Sequence, residues 1–385
     1  MKDYFSSHFK LGVLGGGQLG KMLLRETQKW DIYTVVLDAS NEAPCAEICN
    51  EFHQGDLLDF DTVYRFGKQV DLLTIEIENV HIDALDKLES EGLTIYPKPK
   101  NIRIIQDKIK QKLFYTDHQI PTTAFYRFVS REEVKHAYLN SSLTLPFVWK
   151  AARFGYDGNG VKVIRNHADL ERLPNVACIA EELVPFKNEL AVIIARNLNG
   201  ETKTYPVVEM EFHPEANQVE YVICPARIDA TIAKEAQKIA LKVADAFDFV
   251  GLLAVEMFQT HENKIVVNEV APRTHNSGHY SIEAGYTSQF EQHLRSILNL
   301  PLGNTASKVA GVMVNLVGEE GYTGEVIYEN IETILAMEGV TPHIYGKKIT
   351  KPFRKMGHVT TVNEDVNEAR KIAQQVKETV RVISK

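Results

Sequence analysis

Through the first hundred residues, short apolar runs (LGVLG, YTVVLD, DLLTIEI, LTIYP) alternate with longer amphipathic stretches. That alternation predicts a parallel sheet with helices on its faces, a first domain over residues 1–100. The segment NIRIIQDKIKQKLFYTDHQIP reads as one helix stopped before Pro121. Beyond it the strand-like runs come in pairs: TLPFVWKAA, VKVI and CIAEELVPF surround the glycine-rich FGYDGNG, which predicts a small lid at about 120–185. Residues 229–249 place Ile232, Ala236, Ile239, Val243 and Phe247 on one helical face, and the hairpin GLLAVEMFQTHENKIVVNEVAPR follows. From about Leu302 the runs GVMVNLVG, HIYGKK and HVTTV and a charged closing helix suggest a third, smaller unit. The expected class is α/β, with α+β character in the central part, divided as 1–100, 101–301 and 302–385.

Composition narrows the partners. The 385 residues are 44% hydrophobic and 24% charged, enough to bury two or three cores. A net charge of −8 argues against a broad nucleic-acid-binding face and leaves small molecules as the expected partners. Cys45, Cys49, Cys178 and Cys224 form no C-x-x-C pair, so reduced, mostly buried thiols are expected. The opening MKDYFSSHFK lacks a long apolar stretch and no later run approaches 18 apolar residues, so a cytoplasmic protein without a membrane span is expected.

Several stretches carry candidate chemistry. Gly15, Gly17 and Gly20 fit G-x-G-x-x-G after the first strand, and Asp38 closes the next one, a Rossmann-like pattern that alone points to a nicotinamide dehydrogenase. In the hairpin, Glu256 and Glu269 interrupt otherwise apolar strands. With THEN as a four-residue turn, Glu256 faces Val267 and Glu269 lies diagonally on the same face, where two carboxylates repel unless a cation such as Mg²⁺ sits between them. A solvated acidic face is the alternative. Lys150 ends an apolar run beside FGYDGNG, placed to meet a polyphosphate or to sit by an ordinary turn. Glu181, Glu182, Leu183 and Val184 lead along a strand edge to Glu189, an acid able to accept from ribose hydroxyls. Arg273, His275, Asn276 and His279 crowd the loop after the hairpin: Arg273 offers a fork for a carboxylate or phosphate, and His275 or Asn276 could orient a substrate. Lys347, Lys348, Lys351, Arg354 and Lys355 form either a solvated basic face or a phosphate-binding wall.

In this order GGGQLG, FGYDGNG, NEVAPRTHNSGHYSIEA and YGKKITKPFRKMGH resemble the ATP-grasp superfamily and, within it, the N5-carboxyaminoimidazole ribonucleotide synthetases of purine biosynthesis, over nearly the whole chain. The resemblance implies an ATP-grasp fold: an N-terminal Rossmann-like domain over 1–100, an ATP-grasp domain over 101–301 with its lid, and a C-terminal domain over 302–385. It implies that the first glycine turn holds the 5′-phosphate of aminoimidazole ribonucleotide through Gly17, Gln18 and Leu19, leaving Asp38 as a strand-end acid.

By the same resemblance Lys108 and Lys150 hold ATP phosphates under a closing loop of Gly155, Tyr156, Asp157, Gly158, Asn159, Gly160 and Val161. Glu181, Glu182, Leu183 and Val184 line the adenine, Glu189 the ribose, and Phe212 and Asn268 the nucleotide, while Glu256 and Glu269 carry Mg²⁺, with Mn²⁺ as an alternative. Arg273, His275, Asn276, Lys347 and Arg354 face ribonucleotide and bicarbonate, with Glu76, Tyr156 and Asp157 beside them; Arg273, His275 and Tyr156 are the catalytic candidates. Relatives often carry a histidine where Phe212 stands, next to His213, and an arginine where Lys108 stands. The implied reaction passes through carboxyphosphate, in a homodimer that hands its product to a downstream mutase. The rival readings are another ATP-grasp ligase such as a formate-dependent glycinamide ribonucleotide transformylase or a biotin carboxylase-like protein, a nicotinamide dehydrogenase, and a non-catalytic ATP sensor.

Overall fold

The computed structural model describes residues 3–153, 160–213 and 218–385. The expected loop of Gly155, Tyr156, Asp157, Gly158 and Asn159 lies outside the described residues.

The N-terminal part runs β1 (Lys10–Leu14), α1 (Gln18–Lys29), β2 (Tyr33–Asp38), β3 (Glu51–Gln54), α2 (Phe60–Gly67), β4 (Leu72–Ile75), α3 (Ile82–Ser90) and β5 (Thr94–Ile95). Its strands form a parallel sheet in the order β3-β2-β1-β4-β5. Leu11 and Val13 of β1 face one core and Leu14 the other, as expected of a strand covered on both faces.

The helix expected before Pro121 is two: α4 (Pro99–Ile105) and α5 (Lys108–Asp117). Asp107 divides them, because its carboxylate accepts from the amides of Ile109 and Lys110 and so caps a new helix. Lys108 thereby becomes the first residue of α5.

The lid contains β6 (Phe125–Phe128), α6 (Arg131–Leu139), β7 (Phe147–Ala151), β8 (Val161–Ile164), α7 (His167–Glu171) and β9 (Cys178–Glu182). Its antiparallel sheet, β6-β9-β7-β8, closes over its own core around the buried Trp149 and Phe147.

The main sheet is built from β10 (Phe186–Arg196), β11 (Thr202–Thr204), β12 (Val208–Phe212), β13 (Val219–Cys224), β14 (Gly251–Thr260) and β15 (Ile265–Ala271), with α8 (Ala230–Ala246) between β13 and β14. Ala236, Ile239 and Val243 of α8 pack on Leu190, Val192, Val255 and Met257, one face of that sheet. After α9 (Ser281–Ala284) and α10 (Gln289–Ile297), the sheet does not stop near Leu302. β16 (Ala310–Val317) pairs with β13, so the order continues β15-β14-β10-β12-β13-β16-β20-β18. The C-terminal elements are β17 (Gly324–Glu329), α11 (Ile331–Leu335), β18 (Val340–Ile344), β19 (Ile349–Thr350), β20 (Lys355–Asn363), α12 (Val366–Thr379) and β21 (Arg381–Ser384). Among the described residues no helix is long and apolar enough to cross a membrane.

The turn between β1 and α1 is shaped by a carboxylate. Glu76, just after β4, accepts from the amides of Gly17 and Gly20, each at 2.8 Å. A Cβ on Gly17 would lie 2.5 Å from Glu76 Oε1, and one on Gly15, where φ is +97°, would lie 2.5 Å from Glu76 Cγ. The glycines are required by this close approach as well as by backbone conformation. Gly15→Ala is therefore expected to destabilise the protein by about 1–3 kcal/mol, combining positive-φ strain with the displaced Glu76. Thermal unfolding measures it, and an unchanged midpoint would show that the turn does not depend on this fit.

Candidate functional site

One cleft of about 970 Å³ gathers residues from every part of the chain. The N-terminus of α1, the segment after β4, the start of α5, lid strands β7 and β9, the β14–β15 hairpin and the turn around Lys347 all contribute.

The hairpin supplies the acids. Thr260 N donates to Lys264 O, so Gln259 opposes Ile265 and Met257 opposes Val267, one residue away from the register expected for a THEN turn. A bulge at Asn268 then restores the carboxylates to each other: Glu256 and Glu269 are directly opposite, not diagonal. In a regular strand Glu269 would follow Val267 onto the face covered by α8; the extra residue turns both Asn268 and Glu269 toward the cleft. Glu189 of β10 pairs with Phe258 and lies diagonally from Glu256 on the same face, with Phe212 of β12 also on the cleft wall. His213 points elsewhere, its ring against Phe353.

The acids are met by cations from separate elements. Lys108 forms a short ion pair with Glu269. Burial alone would lower the Lys108 ammonium, but Glu269 outweighs it and the pKa rises; Lys108 in turn holds Glu269 well below the usual carboxylate range. Burial and the charge of Glu269 push Glu256 up, and the ring of His275 sits with Nε2 3.2 Å from Glu256 Oε1. Lys150 donates to Asn268 Oδ1 at 2.8 Å and pairs with Glu181 at 3.0 Å. Two facing carboxylates with an amide oxygen beside them are a donor set suited to a hard divalent cation.

The lid contributes Glu182, Leu183 and Val184 to the cleft wall, with Val161 across from them. Gly160 closes the described part of the glycine loop, its carbonyl accepting from Ala151 N.

At the other end of the cleft, Glu76 spends both oxygens on the glycine turn, and Asp38 is likewise committed, accepting from Gly16 N at 2.7 Å and Ser40 N at 2.9 Å. Asp38 is thus more than a strand-end acid: it ties down the turn and is not available to a ribose. Among the described residues the amides of Gln18 and Leu19 at the start of α1 take no partner, and an anion is favoured there. Lys347 and Lys355 also line the cleft. Arg354 is not among the lining residues: just before β20, its guanidinium donates to Ile349 O.

Arg273 makes a paired contact to Glu78, 2.9 Å from each oxygen. Asn276 exchanges amide hydrogen bonds with Asn315 of β16. Gln289, fully buried at the start of α10, accepts from His275 N, donates to His275 O and hydrogen-bonds His279, fixing the loop that carries the histidines. Sequence reading passed over Glu78, Gln289 and the buried Lys112. Glu78 looks like the polar end of an apolar run and Gln289 like an ordinary helical residue; only their partners mark them.

Burial, then the charges of Glu256 and Glu269, raise the Glu189 carboxyl to about 8. The folded protein keeps its proton where the unfolded chain has lost it, so this contribution to stability is complete below the unfolded carboxylate pKa and disappears as pH rises through the folded one. Glu189→Gln is expected to flatten the fall in stability between about pH 5 and pH 8 in nucleotide-free protein. Thermal midpoints across that range test it; equal slopes in both proteins would mean Glu189 titrates normally.

Comparison with known proteins agrees with this geometry. The chain matches models of the ribonucleotide synthetase preATP-grasp domain over residues 9–106, the ATP-grasp domain over 113–290 and the phosphoribosylaminoimidazole carboxylase C-terminal domain over 311–372. It is 36% identical to the N5-carboxyaminoimidazole ribonucleotide synthase of Bacillus subtilis, covering 93% of this chain and 92% of that one. It is 35% identical to the phosphoribosylaminoimidazole carboxylase of Candida albicans, of whose length it spans 65%. The solved N5-carboxyaminoimidazole ribonucleotide synthetase of Thermotoga maritima superposes with a TM-score of 0.90 at 42% identity, covering 98% of this chain and 100% of that one. An Aspergillus clavatus N5-carboxyaminoimidazole synthase, solved with ADP and 5-aminoimidazole ribonucleotide, gives 0.87 at 33%, covering 96% and 98%. With this agreement along its whole length, the chain belongs to the N5-carboxyaminoimidazole ribonucleotide synthase family of ATP-grasp proteins.

Proposed function

We propose that this protein uses ATP and bicarbonate to carboxylate the amine of 5-aminoimidazole ribonucleotide, giving N5-carboxyaminoimidazole ribonucleotide, ADP and phosphate. The observation that carries the reading is one cleft lined both by the β14–β15 acids with Lys108 and Lys150 and by the open amides of α1 with Lys347 and Lys355. The first group suits a nucleoside triphosphate, the second a phosphorylated acceptor. The Aspergillus clavatus relative, solved with ADP and the ribonucleotide together, supports placing both in such a cleft.

A bicarbonate oxygen attacks the γ-phosphorus as the β,γ-bridging bond breaks, leaving ADP and carboxyphosphate. The acceptor amine then attacks the carboxyl carbon and expels inorganic phosphate, which carries away the proton that the amine gives up. Lys108 and Lys150 spread the charge of the transferring phosphoryl group. Arg273, whose fork matches a carboxylate, is assigned to the carboxyl group, and His275, held by Gln289 at both its backbone groups, borders the same space. Mg²⁺, or Mn²⁺ in its place, held by Glu256 and Glu269 with Asn268 beside them, would supply neutralisation of the polyphosphate. Closure of the cleft protects carboxyphosphate from water, and the loop of Tyr156 and Asp157 is assigned to that task from its sequence.

A cytoplasmic homodimer passing its labile product to a mutase is the setting proposed with this activity. The dehydrogenase reading loses its ribose anchor, since Asp38 is taken up by Gly16 and Ser40.

Phosphate release measured while omitting ATP, bicarbonate and aminoimidazole ribonucleotide in turn tests the assignment. Dependence on all three is expected, and release indifferent to the ribonucleotide would overturn it. Lys347→Ala is expected to raise the ribonucleotide KM about tenfold or more, a phosphate contact's worth, with the ATP KM little changed. Equal losses for both substrates would remove Lys347 from the acceptor end.

A further inference from the structure

Lys112, one turn beyond Lys108 on α5, is only 2% exposed and has no part in the scheme above. Its ammonium donates to Thr122 Oγ1 at 2.6 Å and Thr123 Oγ1 at 3.0 Å, and lies 3.1 Å from Glu181 Oε1. The other oxygen of Glu181, itself 3% exposed, lies 3.0 Å from Lys150 Nζ. Glu181 therefore bridges two lysines in a buried row, Lys112–Glu181–Lys150, which ends on Asn268 at the bulge. Thr122 extends the row's support by donating to Val267 O, just before that bulge.

The charge balance of this row decides what Lys150 can do. A carboxylate and one lysine buried together form a closed, neutral pair that holds its cation strongly, because attraction is little screened there. A second lysine changes the sum: Glu181 is already neutralised from the Lys112 side, so it does not by itself consume the positive charge of Lys150.

We propose that Lys112 is a positioning residue for nucleotide binding: it neutralises Glu181 from behind, so that the charge of Lys150 is available to the ATP phosphates. The inference rests on the assignment of Lys150 to the nucleotide.

Calorimetric titration of the full-length protein with a non-hydrolysable ATP analogue and Mg²⁺ tests this. K112M is expected to bind the analogue about tenfold or more weaker, because Glu181 now retains Lys150. The double variant K112M/E181Q should recover most of that loss, since removing the carboxylate releases Lys150, and K112R should bind close to the parent. Loss of packing alone would leave the double variant no tighter than K112M. If K112M binds like the parent, or the double variant shows no recovery, the proposal is overturned. Should K112M fail to fold, K112R and K112Q are compared: equal affinity with the cation kept and with it lost overturns the proposal, and weaker binding by K112Q supports it. A parent protein that does not bind the analogue would instead sink the assignment of ATP to this cleft.

Discussion

Opposed charges held in one buried cleft, with more acids than any one lysine can satisfy, are the constraint on which the site depends. Glu189, Glu256 and Glu269 share one face of three neighbouring strands, and the bulge at Asn268 puts two of them directly across from each other. Burial makes their repulsion costly, which is why Glu256 and Glu189 are driven toward their neutral forms while Glu269, paired with Lys108, stays ionised. The repulsion is not removed by local rearrangement, because each acid sits on a strand held by sheet hydrogen bonding.

The lysines that answer these acids arrive from elements with their own reasons to be there. Lys108 begins α5 because Asp107 caps that helix, and Lys150 lies on lid strand β7, whose core holds Trp149. Lys150 joins the lid to the bulge through a hydrogen bond to Asn268. The turn at the start of α1 follows a different logic. There the carboxylates of Glu76 and Asp38 are consumed in shaping a glycine turn, and the resulting open amides of α1 are what remains for an anion.

Much of this was legible in the sequence. Alternating runs announced the parallel sheet, and apolar strands interrupted by Glu256 and Glu269 announced a reason for burying acids. The glycine spacing marked a turn at the start of α1 but not its ligand, since the same spacing serves a dinucleotide or a phosphate. The order of several motifs along the chain carried more information than any one of them, because each by itself has an ordinary structural explanation.

What the sequence by itself determined were properties set by neighbours along the chain: strand period, helix faces, turn glycines and the presence of acids in apolar strands. Tertiary structure alone decided the register of the hairpin, because one bulged residue reverses which face Glu269 takes. It also decided that Lys355 rather than Arg354 joins the cleft wall, and that Glu78, Gln289 and Lys112 matter, since their partners lie far off in the sequence: Arg273 for Glu78, and Glu181 for Lys112. The physical reason is common to all of them. A charge or an amide is given its role by what it is buried against, and that partner is chosen by the fold.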